Sequence, residues 1–508
     1  MNKRTILLLA FVLLKFILQY QLVNPVYELQ RDEYLHLDQA NHLAWGYLSV
    51  PPFTSWISYI IQLLGNTLFW IRFFPALFGI LTIVMVWKTI TALNGSTFAH
   101  ILGATGVLLS TLLRLNILYQ PNAFDVLSWM TLYYCFIRYQ QSEKSKWLYI
   151  GAVVFALGFL NKYNILFLVM GLIPAILLTT QRKLLVRKEL YLSMLLALVL
   201  ILPNLLWQYH NHFPVIHHMK ELNERQLVHV KTSNFLKAQL LFYAGALYMI
   251  LAAAWALLRY KPFQPHRSFF WSLISTLAIF ICFHAKDYYA IGLYPVYIAF
   301  GAVYLADIIP VAQRKYWYPI TLLIPLLISI RLFQVAFPNK TPEYIIANPE
   351  QFKRFGMLRW EDGKDHTLPL DYADMLGWKE LAHKVDSIYA TIPGNEETLV
   401  LCDNYGQTGA INYYTHKGIK AVSFNADYIN WFDLSKQYRN LIRVKDYESA
   451  HEEMAETSPY FKTAQVAGQI ENKNAREYGA TIFLFTGATV NINDKIKQEI
   501  AETKSKWR

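Results

Sequence analysis

Glu189-Leu190-Tyr191-Leu192-Ser193-Met194-Leu195-Leu196-Ala197-Leu198-Val199-Leu200-Ile201-Leu202-Pro203-Asn204-Leu205-Leu206-Trp207 is a nearly unbroken apolar run. Coiled as a helix it has the length needed to cross the ~30 Å of hydrocarbon in a bilayer. Arg182, Lys183, Arg187 and Lys188 stand at its start. Runs of this kind recur from the N-terminus to about Phe337 and vanish between Pro338 and Arg508, where charged residues become frequent. Only 16% of the 508 residues are charged and 55% are hydrophobic, whereas a soluble chain carries roughly a quarter charged residues. The sequence therefore predicts a membrane domain over 1–337 followed by a soluble domain over 338–508.

About eleven spans are expected from apolar runs of adequate length: roughly 5–22, 67–87, 97–114, 120–138, 147–161, 164–180, 189–207, 235–258, 268–285, 288–307 and 317–336. The first contains Lys15 and Gln19 and precedes no small-residue cleavage site, so it reads as a retained helix rather than a signal peptide. With a cytoplasmic N-terminus, every inner loop is basic: Lys88, then Arg138, Lys144 and Lys146, then the group ahead of Glu189, then Arg259, Lys261 and Arg267, then Arg314 and Lys315. This is the positive-inside pattern, and it accounts for the net charge of +12 without a nucleic-acid partner. An odd number of spans places the C-terminal domain outside, periplasmic for a protein of the bacterial inner membrane.

Two outer loops, 23–66 and 208–234, are long. In the first, Phe53, Trp56, Ile57, Ile60 and Leu64 recur at helical spacing, which suits a helix in the membrane interface; packing on neighbouring helices is the alternative. The C-terminal part reads as α/β, with strands at Thr398–Cys402 and Thr481–Phe485 and helical patterning over Asp374–Tyr389 and Asp494–Thr503. Gly406-Gln407-Thr408-Gly409 lacks the rest of a phosphate-binding fingerprint, so a scaffold is the better reading. Cys135, Cys282 and Cys402 imply neither a disulfide framework nor a metal site.

The chemistry-bearing stretch is Arg31-Asp32-Glu33-Tyr34-Leu35-His36-Leu37-Asp38 in the first outer loop. Ionisable groups in a membrane domain are costly and commonly mark a substrate path or a catalytic site; solvated loop charge or a helix cap is the bland alternative. Neighbours in a helix do not share a face, so Asp32 and Glu33 are expected to have separate roles. Arg31, Arg72, Lys162 and Lys286 fall at outer helix ends, where they could meet a phosphate or simply snorkel to the interface. His210, His212, His217 and His218 gather in the second outer loop without a strong zinc spacing.

The chain resembles bacterial relatives of the dolichyl-phosphate-mannose protein mannosyltransferases, a superfamily that includes the aminoarabinose transferases of lipid A. The resemblance is carried by Asp32-Glu33-Tyr34, Trp45-Gly46-Tyr47, Pro51-Pro52, Arg72-Phe73-Phe74-Pro75-Ala76, Gln120-Pro121-Asn122-Ala123, Gly158-Phe159-Leu160-Asn161-Lys162-Tyr163, Pro203-Asn204-Leu205-Leu206-Trp207, Lys286-Asp287-Tyr288-Tyr289 and Asp403-Asn404-Tyr405-Gly406-Gln407. It implies a polytopic α-helical membrane fold of the glycosyltransferase C type. The implied activity moves a sugar from a polyprenyl-phosphate carrier to a lipid, glycan or protein acceptor. Asp32 is then the expected base, with Glu33 supporting it or binding a divalent cation together with His217 or His218. Arg31, Arg72, Lys162 and Lys286 become candidates for the donor phosphate. Tyr34, Asp125, Tyr163, His210, Asp287 and Tyr288 complete the substrate-site candidates. Relatives often have Pro-Asp where this chain has Pro121-Asn122, and Asp125, one turn on, is the possible substitute. A polytopic transporter and a non-catalytic subunit of an envelope-glycan assembly are the rival readings, although no internal repeat favours transport.

Overall fold

A computed structural model describes residues 2–225, 231–360 and 362–505. Residues 226–230 of the expected outer loop 208–234 and the last three residues of the expected soluble domain lie outside them. The chain divides into two compact units. The first comprises 1–22, 50–54 and 67–334; the second comprises 23–49, 55–66 and 335–508. Most of the first outer loop thus folds with the C-terminal region.

The first unit is helical, and on several of its helices polar residues are turned inward. Along the helix Lys188–His210, Ser193, Ala197, Ile201, Asn204 and Gln208 are buried, while Leu192, Leu195, Leu198, Val199, Leu202 and Leu206 are exposed. The first helix, Lys3–Gln21, repeats the pattern: Lys15 and Gln19 are its buried residues. The Lys15 ammonium donates to Asn116 Oδ1 at 2.9 Å, and the Gln19 amide donates to the Leu113 carbonyl at 3.1 Å. Ile6, Leu9, Leu13 and Ile17 face outward. Exposing apolar residues and burying hydrogen-bonded polar ones is costly in water and favourable in lipid. Prolines inside helices, Pro75, Pro203, Pro319 and Pro325 among them, are tolerated in membrane helices where the freed backbone groups find other partners.

Helix falls within each of the eleven expected spans, yet eleven is not the number that helix lengths give. Among the described residues four helices are long and apolar enough to cross a membrane, Lys3–Gln21, Leu68–Ala92, Lys188–His210 and Val311–Val335. The total rises to seven if each bent pair counts as one span. The pairs bend by 109° between Ile165–Leu177 and Thr180–Val186, by 67° between Thr232–Phe242 and Ala244–Arg259, and by 47° between Asp287–Leu293 and Pro295–Ile308. Thr97–Leu108, Lys146–Asn161 and Ser268–Cys282 are apolar but shorter. Continuous apolar runs conceal these breaks.

The second unit contains a five-stranded sheet: β1 (Thr398–Cys402), β2 (Val422–Ser423), β3 (Asn440–Lys445), β4 (Phe461–Gln469) and β5 (Thr481–Ala488), in the order β2-β1-β3-β5-β4. β1 pairs parallel with β2 and β3, and β5 pairs antiparallel with β3 and β4. Leu399, Leu401, Phe483 and Phe485 from the centre of the sheet pack with Ile492 and Ile496 of the C-terminal helix Ile492–Ser505. The expected strands and that helix are present. The helix expected over Asp374–Tyr389 starts later, at Trp378, and runs to Ala390. β2, β3 and β4 were not anticipated; β4 is an edge strand with a largely exposed face and no long apolar run.

Residues 23–38 are tied into this unit by backbone and charge. The Asn24 N–H donates to the Pro338 carbonyl and the Glu28 N–H to the Met375 carbonyl. The Glu28 carboxylate accepts from the Trp378 and Lys379 amides at 2.8 and 3.0 Å, capping the helix Trp378–Ala390. The segment then forms the helix Arg31–Asp38, closed at its start by a capping box. Gln30 Oε1 accepts from the Asp32 N–H at 2.9 Å, and Glu33 Oε2 accepts from the Gln30 N–H at 2.7 Å. Acidic residues in a first helical turn also suit the helix macrodipole.

This helix packs on Tyr405–Tyr414, the helix that follows β1. The contact explains Gly406 and Gly409. A Cβ at Gly409 would lie 2.7 Å from Tyr34 Cβ, and one at Gly406 would lie 3.2 Å from Arg31 Cβ. The glycine pair serves a close helix crossing. Gly409→Ala is expected to destabilise the second unit by about 1–3 kcal/mol through overpacking, read as a lower unfolding midpoint; an unchanged midpoint would show that the crossing has slack.

Candidate active site

The crossing brings Arg31 and Asp32 onto Tyr405. The Tyr405 hydroxyl donates to Asp32 Oδ1 at 2.6 Å, and the Arg31 guanidinium lies over the Tyr405 ring, 4.5 Å from its centroid. Burial, then the Asp32 charge, pushes the Tyr405 phenol far up, so it acts as a hydrogen-bond donor. Arg31 is largely buried, which opposes its charge. Tyr405, Asp374, Asp32 and Glu477 around it more than offset that effect, and its pKa is raised. Its Nε has no hydrogen-bond partner among the described residues.

Behind Arg31 is a set of buried carboxyls that the sequence reading missed. Asp374, pushed up to about 6 by burial, receives Arg476 Nη1 on both oxygens at 3.2 Å. Gln407 Nε2 donates to Asp446 Oδ1 at 2.6 Å and to Glu477 Oε2 at 2.7 Å. Asn404 Nδ2 reaches the same two carboxyls at 3.1 and 3.3 Å. Burial and then the Asp446 charge push Glu477 up to about 7. The available sequence signal was the Arg476-Glu477 pair just ahead of a buried strand, and the polar run Asp403-Asn404-Tyr405 immediately after one.

Of the other expected residues in this unit, Glu33 is fully buried and its carboxylate closes the capping box. Tyr34 is buried against Trp378, Tyr413 and Tyr414. One of the two Glu33 carboxylate oxygens is thereby committed to the helix start. Among the described residues no three of His, Cys, Asp and Glu gather as they would around a metal ion.

The first unit holds a second cluster. Lys162, at the end of the helix Lys146–Asn161, donates to Asn122 Oδ1 at 2.7 Å and faces the rings of Tyr288 and Tyr289 at 5.0 and 4.5 Å. Asp125 accepts from Trp129 Nε1 at 3.0 Å and from Asn164 Nδ2 at 2.8 Å, so both its oxygens are engaged. Lys286 is near enough to Lys162 for their charges to repel. Tyr163 donates to Asn204 and accepts from Gln208, each at 3.0 Å. Asp287 Oδ1 accepts from the Tyr288 N–H at 2.7 Å. Arg72 is buried and donates to the Ile117 carbonyl. His210 donates from Nδ1 to the Leu206 carbonyl at 2.7 Å on an exposed helix end. His217 and His218 lie on the partly exposed helix Pro214–Arg225.

Residues 49–207 match the family model described as dolichyl-phosphate-mannose-protein mannosyltransferase. The lipid A galacturonosyltransferase RgtD of Rhizobium johnstonii is 27% identical over 198 residues, covering 37% of this chain and 41% of that relative's length. ArnT from Cupriavidus metallidurans, crystallised with undecaprenyl phosphate, superposes with a TM-score of 0.61 at 14% identity, over 94% of this chain and 97% of that one. Its apo form gives 0.59 at 13% identity, over 95% and 98%. These likenesses show the fold: mostly helical, of the membrane glycosyltransferase type, with a small C-terminal sheet. The family model, RgtD and ArnT fall in the superfamily that the motifs resemble.

A carboxyl whose pKa is higher folded than unfolded holds its proton more tightly in the native state. Its stabilising contribution is complete at acid pH and is lost as pH rises through the folded value. For Glu477 that window runs from the ordinary 4.5 to about 7. Glu477→Gln is therefore expected to raise the unfolding temperature over wild type more at pH 8 than at pH 5; an equal change at both would contradict the raised pKa.

Proposed function

We propose that this chain, whose family match and fold lie among the protein mannosyltransferases and lipid A transferases, is a membrane glycosyltransferase. It takes a sugar from a polyprenyl-phosphate carrier and delivers it to a lipid, glycan or protein hydroxyl on the periplasmic face of the inner membrane. The observation that carries the reading is the Asp32–Tyr405–Arg31 arrangement: a carboxylate oriented by a phenol, with a buried guanidinium held charged in the preceding position.

The acceptor hydroxyl is a poor nucleophile until its proton leaves. Asp32 accepts that proton as the acceptor oxygen bonds to the anomeric carbon. The bond from that carbon to the phosphate oxygen breaks, and its electron pair departs with the polyprenyl phosphate. One base suffices, so the anomeric configuration inverts and the paired-carboxylate scheme of retaining glycosidases is not needed. Charge grows on the leaving phosphate, and Arg31 supplies fixed positive charge with planar N–H donors. Tyr405 holds Asp32 in orientation.

The test is transfer from a panel of polyprenyl-phosphate sugars to an envelope acceptor fraction, with the protein in nanodiscs. Asp32→Asn is expected to lower transfer by about 10²–10⁴-fold with the fold intact. Transfer that survives would move the base elsewhere, and no transfer by the wild type from any donor would remove the reading.

A further inference from the structure

The second unit contains a cleft of about 390 Å³, within the roughly 300–1,000 Å³ typical of small-molecule sites. Its lining is neither apolar nor evenly charged. Asp446 and Glu477 offer carboxyl oxygens, Arg476 lies beside them, and Trp360, His366 and Tyr447 supply ring surface. The aromatic walls are built in. Trp360 stacks on His366 with centroids 3.7 Å apart and donates from Nε1 to the Leu368 carbonyl at 2.8 Å. His366 is fixed in turn by Asp362 at 2.8 Å. Tyr447 is 70% exposed, and its ring lies against Gly479, where a Cβ would come within 2.7 Å of it.

The carboxyl oxygens of Asp362, Asp446, Glu448 and Glu477 in the lining are hydrogen-bond acceptors, so the cleft asks for a ligand rich in donors. Flat rings ask for a ligand with a C–H face. A pyranose has both: hydroxyls or a protonated amine around its rim and apolar C–H groups across its face. An anionic ligand fits poorly, because the carboxyls of Asp446 and Glu477 stand beside the arginine. The cleft also shares Glu477 with the surroundings of Arg31, since that carboxyl lines the cleft and acts electrostatically on the guanidinium.

We propose that this cleft is a sugar-binding subsite that holds a hexose-sized unit of the acceptor glycan, neutral or amino-bearing, while transfer takes place at Asp32. The acceptor role rests on the function proposed above; the binding of sugar does not. The neutral and amino forms share the donor-rich chemistry, and two probes separate them.

The experiment is a ligand-observed NMR titration of the full-length protein in nanodiscs with methyl glucoside and with glucosamine, in the millimolar range. Saturable binding is expected, tighter for glucosamine if the carboxylates select an amine and equal for the two if they select hydroxyls. Tyr447→Ala is expected to weaken it by about tenfold, and Trp360→Ala by at least as much. Trp360 also packs on the neighbouring apolar core, so the exposed Tyr447 carries the decision if the Trp360 variant unfolds. Asp32→Asn should bind both probes as wild type does. Absence of saturable binding, or binding that Tyr447→Ala leaves unchanged, would overturn the subsite. Transfer is scored separately on the same preparation, so its absence counts against the proposed function and absence of binding counts against the cleft.

Discussion

The close crossing of the helices Arg31–Asp38 and Tyr405–Tyr414 is the constraint on which the candidate site depends. Two helices approach this closely only where side chains at the contact are missing, and here the missing ones are those of Gly406 and Gly409. The approach sets Tyr405 under Arg31 and against Asp32. With Cβ atoms at those glycines, the phenol would be held away from the carboxylate. The same helix carries Gln407, which bridges Asp446 and Glu477. Orientation of the carboxylate and the electrostatics behind the guanidinium therefore share one mechanical origin.

Charge in this unit is managed by enclosure. Arg31 loses hydration on burial and regains it as the field of Asp32, Asp374 and Glu477. Those acids cannot all be ionised in a confined space without cost, and Asp374 and Glu477 are driven toward neutrality. A positive charge fixed in this way is worth more toward an anion than the same charge on a mobile surface arginine, since less has to reorganise when the anion arrives. The first unit applies the opposite logic, spreading apolar side chains on its outside and keeping Lys15, Asn204 and Gln208 in hydrogen bonds within.

Much of this was legible in the sequence, because lipid imposes a strong one-dimensional rule. Apolar runs of bilayer length located the helices, and the run ending at Trp207 is a helix with its polar residues turned inward. Arg31-Asp32-Glu33 was singled out as a candidate stretch for the same reason, since charge beside a span demands an explanation. The breaks within spans, such as that between Leu177 and Thr180, escaped because bending is decided by packing rather than composition. The partners of Arg31 escaped because they are far apart in sequence: Tyr405 stood in a quoted motif, but nothing in the chain linked it, Asp374 or Glu477 to Arg31 until the fold gathered them. Gly406 and Gly409 were visible, but their purpose is a contact with residues far earlier in the chain, and periodicity carries no information about that. Glu33 looked like a second catalytic carboxylate and proves to be half of a helix cap.

The interleaving of residues 23–49 and 55–66 with 335–508 in one compact unit has a bearing on biosynthesis. Asp32 leaves the ribosome early, whereas Tyr405, which orients it, follows after the whole of 67–334. Every contact in this helix crossing is of very long range, so loop closure is costly and the crossing forms late in folding. A nascent or prematurely ended chain can already be anchored in the membrane by its first helices while still lacking the assembled acid site. Assembly of the candidate site is thereby coupled to completion of synthesis.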